Sequence, residues 1–205
     1  MIDLLIISFL IVLNGFLAMS EIAVVTAKKS RLEELARKGS KNAGLALKLG
    51  QDPERFLSAI QIGITFIGII SGAYGGVQLT EDILPLVSSI DLIAPYAHEL
   101  SYIIIVSGIT YFSLVIGELV PKSLAISNAE PIAVFSAPLL NILTKVSAPL
   151  VSLLSVSTRL IIRGFGIKEN SAPPVTEDEL RILIDQGSDF GSIEKEEGEL
   201  IKRVF

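Results

Sequence analysis

The chain has 205 residues, of which 50% are hydrophobic and 19% charged, with a formal net charge of −5, a single histidine and no cysteine. This composition excludes disulfide frameworks, thiolate metal sites, cysteine nucleophiles and multi-histidine metal clusters. The charged residues gather in a few blocks instead of alternating with apolar ones, which is the pattern of a membrane protein. The acidic excess comes largely from the residues after Glu169, and no feature calls for a nucleic acid partner.

Three stretches carry no charge at all: Leu4 to Ser20, Phe56 to Thr80 and Leu100 to Gly117. Spanning a bilayer takes about 20 mainly apolar residues, so these predict three transmembrane helices in an all-α fold, over roughly 3–27, 55–80 and 99–121. The first is a retained span and not a secretory signal, because only Asp3 precedes it and Lys28, Lys29 and Arg31 follow.

Eight basic residues separate the first two spans: Lys28, Lys29, Arg31, Arg37, Lys38, Lys41, Lys48 and Arg55. The connection from Glu81 to Glu99 has none, and holds Glu81, Asp82, Asp91 and Glu99. By the positive-inside rule the N-terminus is outside, the basic connection cytoplasmic and the C-terminus cytoplasmic, as expected for an integral protein of the plasma membrane. Within the basic block, at 28–52, Ser30 and Glu33 read as a capping box for one short helix. A second apolar series at Ala43, Ala46, Leu47 and Leu49 reads as another, giving a belt at the inner membrane face. Asp52 and Pro53 supply an N-cap and a first-turn proline for the second span.

The fourth apolar region, Pro131 to Ile162, is interrupted by Lys145 and carries Pro138 and Pro149. Its charge-free pieces of 14 and 13 residues are short: 14 helical residues reach roughly 21 Å against a hydrocarbon core of about 30 Å. Basic residues flank both sides, with Lys122 before and Arg159, Arg163 and Lys168 after. A bent juxtamembrane helix or re-entrant hairpin over 131–163 is therefore expected on the cytoplasmic side. Ala172-Pro173-Pro174 then reads as a linker, and Thr176 to Glu179 as a capping box opening an acidic cytoplasmic helix within 170–205. The helical pattern runs on to Phe205 without a stop signal, so a further soluble domain is expected beyond it.

The chemistry concentrates in GELVPKS, Gly117 to Ser123. A carboxylate at membrane depth costs about 2.5–3.5 kcal/mol on insertion scales and calls for a partner or a purpose. Glu118 and Lys122 are four apart, the spacing of an ion pair at a membrane boundary. Pro121 has no N–H to offer residue 117 and its ring pushes on that carbonyl, so a helix break is expected that frees the Gly117 oxygen beside the Glu118 carboxylate. Together with Ser20, and with Gln61, Thr65 or Ser71 of the second span, these make a hard-oxygen site for Mg²⁺ or Na⁺, unsuited to zinc or copper.

Two bland readings compete. Ser20 can bond its own helix backbone, and Ser71 belongs to a stripe of small residues with Gly68, Gly72, Gly75 and Gly76 that suits close helix packing. On depth, Thr65 matches Glu118 and Ser20 better than Ser71, which lies 18 residues beyond Pro53 or about 27 Å along a straight helix. A helix that starts well inside the cytoplasm would alter that, and the two residues stay open as alternatives. No HExxH, GxSxG, catalytic cysteine or intramembrane aspartate pair points to an enzyme.

The stretches NGFLAMSEIAVVTAKKSRL, QIGITFIGIISGAYGG, ITYFSLVIGELVPKSLAI and VTEDELRILIDQG resemble the CorC and cyclin-M (CNNM) magnesium transporters, also described as hemolysin-like or as magnesium and cobalt efflux proteins. The resemblance covers nearly the whole chain. It implies a homodimer in the lipid bilayer, each subunit with three membrane helices, a belt of short helices and a juxtamembrane helix. It also implies a Mg²⁺ site made by Ser20, Glu118 and the Gly117 carbonyl. Many relatives have asparagine after the glycine of QIG, where this chain has Ile64 and Thr65, so the second-helix ligand rests between Thr65 and Ser71. The family continues into a nucleotide-binding CBS pair, and ATP would act only through that domain. The function so implied is Mg²⁺ export, with Na⁺ entry as a candidate driving force; the alternative is a non-transporting Mg²⁺-sensing regulator.

Overall fold

The computed structural model describes residues 2–165 and, beyond them, 184–186, 188, 197, 200 and 201. The linker and capping box expected after Gly166 lie outside the described residues. Two compact units are distinguished, 1–157 and 158–205, and the first contains the site.

Every described element as far as Gly164 is helical. In chain order they are α1 (Ile2–Thr26), α2 (Lys29–Arg37), α3 (Lys41–Gln51), α4 (Pro53–Ser88), a 3₁₀ turn at Ala94–Tyr96, and α5 (Ala97–Leu114). A π-helical turn (Val115–Leu119), α6 (Val120–Ser127), α7 (Ala129–Val146) and α8 (Ala148–Gly164) follow. Three helical stretches are long and apolar enough to cross a membrane: Ile2–Thr26, Pro53–Ser88 and Ala94–Ser127, the last including the π turn. Phe9, Val12, Phe66, Ile69, Ile103 and Tyr111 are all more than half exposed, a surface that hydrocarbon accepts and water does not. The protein is an all-α integral membrane protein.

Local chemistry sets several of the helix ends. Asp52 caps α4 by accepting the Arg55 N–H at 3.3 Å, with Pro53 in the first turn. Ser40 caps α3 through the Ala43 N–H. The capping box expected at Ser30 and Glu33 does not form: α2 starts at Lys29, and its N-cap residue Lys28 makes no side-chain cap. The Lys28 N–H instead donates to Glu130 Oε1 of α7 at 3.4 Å, so a tertiary contact sets where α2 begins. Along α2, Glu34 lies between Arg31 and Lys38. The hydrogen bond from Lys38 and its charge, with Arg31 adding to both effects, hold the Glu34 carboxyl below the usual range.

The helix from Pro53 runs to Ser88, eight residues past the expected end at 80. At 1.5 Å per residue it exceeds a 30 Å core by about 24 Å, so it projects beyond the bilayer or tilts within it. Inside lipid, apolar side chains gain little by leaving one apolar medium for another, and close backbone approach through small residues does more to hold helices together. The main core follows that rule. Ala23 of α1, Ala46 of α3, Ala125 of α6 and Ala133 and Ala137 of α7 pack with Leu17, Phe56, Ile60 and Leu140. Helix α7 thus sits directly on α1 and α3. The chain then bends by 64° into α8, next to Pro149.

Candidate cation site at the π turn

The expected break at Pro121 is absent as a break. The missing N–H and the ring of Pro121 are absorbed by widening the preceding turn to π geometry over Val115–Leu119, and the helix continues to Ser127. A π turn is a common way to seat a residue that the α ladder cannot accommodate, and such turns are frequent at functional sites.

Helix α1 packs into this widened turn through glycines on both sides. A Cβ on Gly15 would lie 2.8 Å from the Ile116 carbonyl oxygen and 3.0 Å from Pro121 Cγ, and one on Gly117 would lie 3.3 Å from both Asn14 Nδ2 and the Ile11 carbonyl oxygen. Only glycine fits at position 15, because the atoms it meets are backbone and a proline ring. The Gly117 carbonyl, expected to be free, accepts a buried hydrogen bond from Asn14 Nδ2 at 3.0 Å.

Along the same seam, in the direction of α2 and α3, the charged groups meet. Lys122 Nζ lies 2.8 Å from Glu118 Oε1 and 3.8 Å from Glu21 Oε2. The side chains of Lys122, Glu118 and Glu21 are 31%, 39% and 17% exposed, so water screens the pairs only in part. One ammonium against two carboxylates leaves a formal charge of −1. Ser20, next to Glu21, is fully buried and donates its Oγ hydrogen to the Phe16 carbonyl at 2.6 Å, which leaves the hydroxyl lone pairs as acceptors.

The two second-helix candidates separate. Gly63 of α4 abuts Leu17, and Gly75 abuts Ile7 and Ile109, so α4 runs antiparallel to α1. By those marks Ser71 stands level with α1 near Leu10 and Ile11, beyond Asn14 as seen from Ser20. It is buried, with 2% exposure. Thr65 is on an exposed face and its Oγ1 accepts from Gln61 Nε2 at 3.4 Å. The structure therefore lays Ser20, Gly117 and Glu118 along one seam of α1, places Ser71 near the level of Gly117 but roughly 14 Å along α1 from Ser20, and leaves Thr65 outside it. Gly75 and Gly76 of the small-residue stripe are packed, Gly76 against Tyr102 and Val106, whereas nothing lies within 4 Å of Gly68 or Gly72.

Two participants were not picked out from the sequence. Asn14 is a lone amide inside a charge-free span, and polar groups at membrane depth are uncommon enough to have marked it. Glu21 sits beside Ser20 but becomes part of the cluster only through Lys122 of a distant helix. No group of three or more acidic, histidine or cysteine side chains able to hold a metal ion occurs among the described residues. A divalent ion here would meet carboxylate, hydroxyl and carbonyl oxygens, the donor types that suit Mg²⁺.

Residues 5–197 match the cyclin M transmembrane N-terminal domain (CNNM). The chain belongs to the CNNM membrane-domain family. It is 49% identical over 99% of its length to the UPF0053 protein sll0260 of Synechocystis, and 30% identical over its whole length to the UPF0053 protein YhdP of Bacillus subtilis. It is also 27% identical, over 96% of its length, to a protein of Haemophilus influenzae named polyamine export protein. The chain spans about half of each relative, 45%, 46% and 45% respectively. CNNM membrane domains are a transport-related family and not a known enzyme family.

Proposed function

We propose that this CNNM domain carries Mg²⁺ across the membrane as an exporter, binding the ion between α1 and the π turn. The observation that carries the reading is the cluster of Glu21, Lys122 and Glu118, with the buried Ser20 next to Glu21 in the chain. Lys122 holds the carboxylates as a tethered cation, and an entering Mg²⁺ displaces its ammonium, taking Glu118, Ser20 and the Gly117 carbonyl as ligands. Ser71 becomes the second-helix ligand if α4 slides toward the α2–α3 belt. Access from the belt end is supported by the apolar walls beyond Asn14, where Leu4, Ile7, Ile11, Ile105, Phe112 and Ile116 line the space between α1 and α5. The basic residues of α2 and α3 support a cytoplasmic belt in the plasma membrane with the N-terminus outside. The uncovered faces around Gly68, Gly72 and α5 support a homodimer.

A second reading has its own observation. The Lys122 ammonium is a primary amine seated between two carboxylates, and the end of a polyamine presents the same group, as the name of the Haemophilus relative suggests. A regulator that binds Mg²⁺ without moving it is the third.

Flux in proteoliposomes carrying the full-length protein separates the three. Mg²⁺ flux in the wild type, lost in Glu118→Ala and Ser20→Ala, supports export, and its dependence on an imposed Na⁺ gradient tests coupling. Flux of spermidine but not Mg²⁺ supports the polyamine reading. Mg²⁺ binding without flux of either supports the regulator, and Mg²⁺ flux that survives Glu118→Ala removes the proposed site.

A further inference from the structure

The eight basic residues between Lys28 and Arg55 share that stretch with four acidic ones, Glu33, Glu34, Asp52 and Glu54, which leaves a formal charge of +4. All eight are exposed. Of these, only Arg31 and Lys38 form an ion pair among the described residues, both with Glu34. Lys29, Arg37, Lys41, Lys48 and Arg55 stand as cations without a carboxylate in reach. A solvated face usually balances its charges locally, and this one does not.

The fold holds that charge at the membrane surface. Both ends of the belt are tied to spanning helices, at Thr26 and Pro53, and α3 packs on α1, α4 and α7. The buried side of α3 is Ala43, Ala46 and Leu49. Lys41 and Lys48 share the opposite side with the exposed Gly44, the two lysines standing about 10 Å apart along the axis. Gly39, with a φ of 95°, makes the left-handed turn that joins α2 to α3, so Arg37 and Lys41 flank one tight turn. Leu35 is 37% exposed on the α2 face that also carries Arg31 and Lys38. An uncovered leucine among basic side chains is the pattern of a helix that dips an apolar group into the acyl boundary and keeps its cations at the headgroups.

Charge selects the occupant. A cluster of lysine and arginine immediately next to the end of a membrane helix complements anionic phospholipids, whereas zwitterionic headgroups present no net charge to it. We infer that the α2–α3 hairpin binds the anionic phospholipid headgroups of the leaflet it abuts, with Lys29, Arg37, Lys41 and Lys48 as the contacting groups. Binding of this kind follows from where the belt sits and is independent of the solute the protein carries.

Native mass spectrometry of the full-length protein in a neutral detergent, with phosphatidylglycerol or phosphatidylcholine of identical acyl chains added, measures the two dissociation constants. Each basic group held near an anionic headgroup strengthens binding about fivefold, so wild type is expected to prefer phosphatidylglycerol by about tenfold or more. Combining Arg37→Gln, Lys41→Gln and Lys48→Gln removes that preference and leaves phosphatidylcholine binding unchanged. The charge-preserving set Arg37→Lys, Lys41→Arg and Lys48→Arg retains it, which separates loss of charge from loss of structure. Lys145→Gln, an exposed cation of α7 outside the belt, also retains it. Equal affinity of wild type for the two lipids overturns the inference, and is the result expected if the acidic residues beyond Glu169 cover the belt instead. So does a preference that survives the triple glutamine variant, or one that Lys145→Gln abolishes just as well.

Discussion

The packing of α1 on the π turn makes a quantitative prediction for Gly15→Ala. The new methyl would stand 2.8 Å from the Ile116 oxygen and 3.0 Å from Pro121 Cγ, against ordinary contacts of about 3.5 Å or more. Neither neighbour can rotate away, so α1 must lift off the turn by roughly half an ångström. Overpacking of that kind costs about 1–3 kcal/mol. The lift also stretches the 3.0 Å bond from Asn14 to Gly117, worth about 0.5–1.5 kcal/mol. Against this, alanine gains up to about 1 kcal/mol of helix propensity. The net expectation is a loss of about 1–3 kcal/mol. Gly44→Ala in α3 is the control, since nothing lies within 4 Å of that glycine, and it should leave stability unchanged or raise it by up to about 1 kcal/mol. Thermal unfolding in detergent, followed by helical circular dichroism, compares the two. Equal midpoints for Gly15→Ala and Gly44→Ala would refute the claim that close packing at position 15 fixes α1 against the turn.

Three further expectations concern the same region and its frame. Lys122→Met leaves Glu21 and Glu118 without their shared ammonium, and Mg²⁺ binding measured by calorimetry should tighten about tenfold, the gain being limited because Glu118 is partly exposed. Pro121→Ala restores an N–H at residue 121, so the π turn should relax toward α geometry. Thermal stability should then hold or rise while Mg²⁺ affinity falls. Asp52→Ala removes the cap on the Arg55 N–H and should lower stability by about 1 kcal/mol, with Asp52→Asn recovering most of it; a loss that Asn does not recover would point away from capping.

By itself the sequence determined those features that depend on neighbours along the chain. Charge-free runs marked the spans because hydrocarbon admits few charges whatever the tertiary arrangement. Asp52 with Pro53 marked a helix start, and Glu118 with Lys122 marked an ion pair, because their partners lie within one turn. Tertiary structure decided what depends on a distant helix. The Gly117 carbonyl is held by Asn14, 103 residues away, and Lys122 adds Glu21 only because glycines at 15 and 117 let α1 seat in the turn. The start of α2 follows from Glu130 and not from a local cap. Spacing favoured Thr65 on depth without deciding between it and Ser71, whereas the structure exposes Thr65 and buries Ser71, since the rotation and depth of α4 are set by which of its glycines meet α1. Helical periodicity gives each residue a direction relative to its own axis, and only the packing of one axis on another turns that direction into a contact.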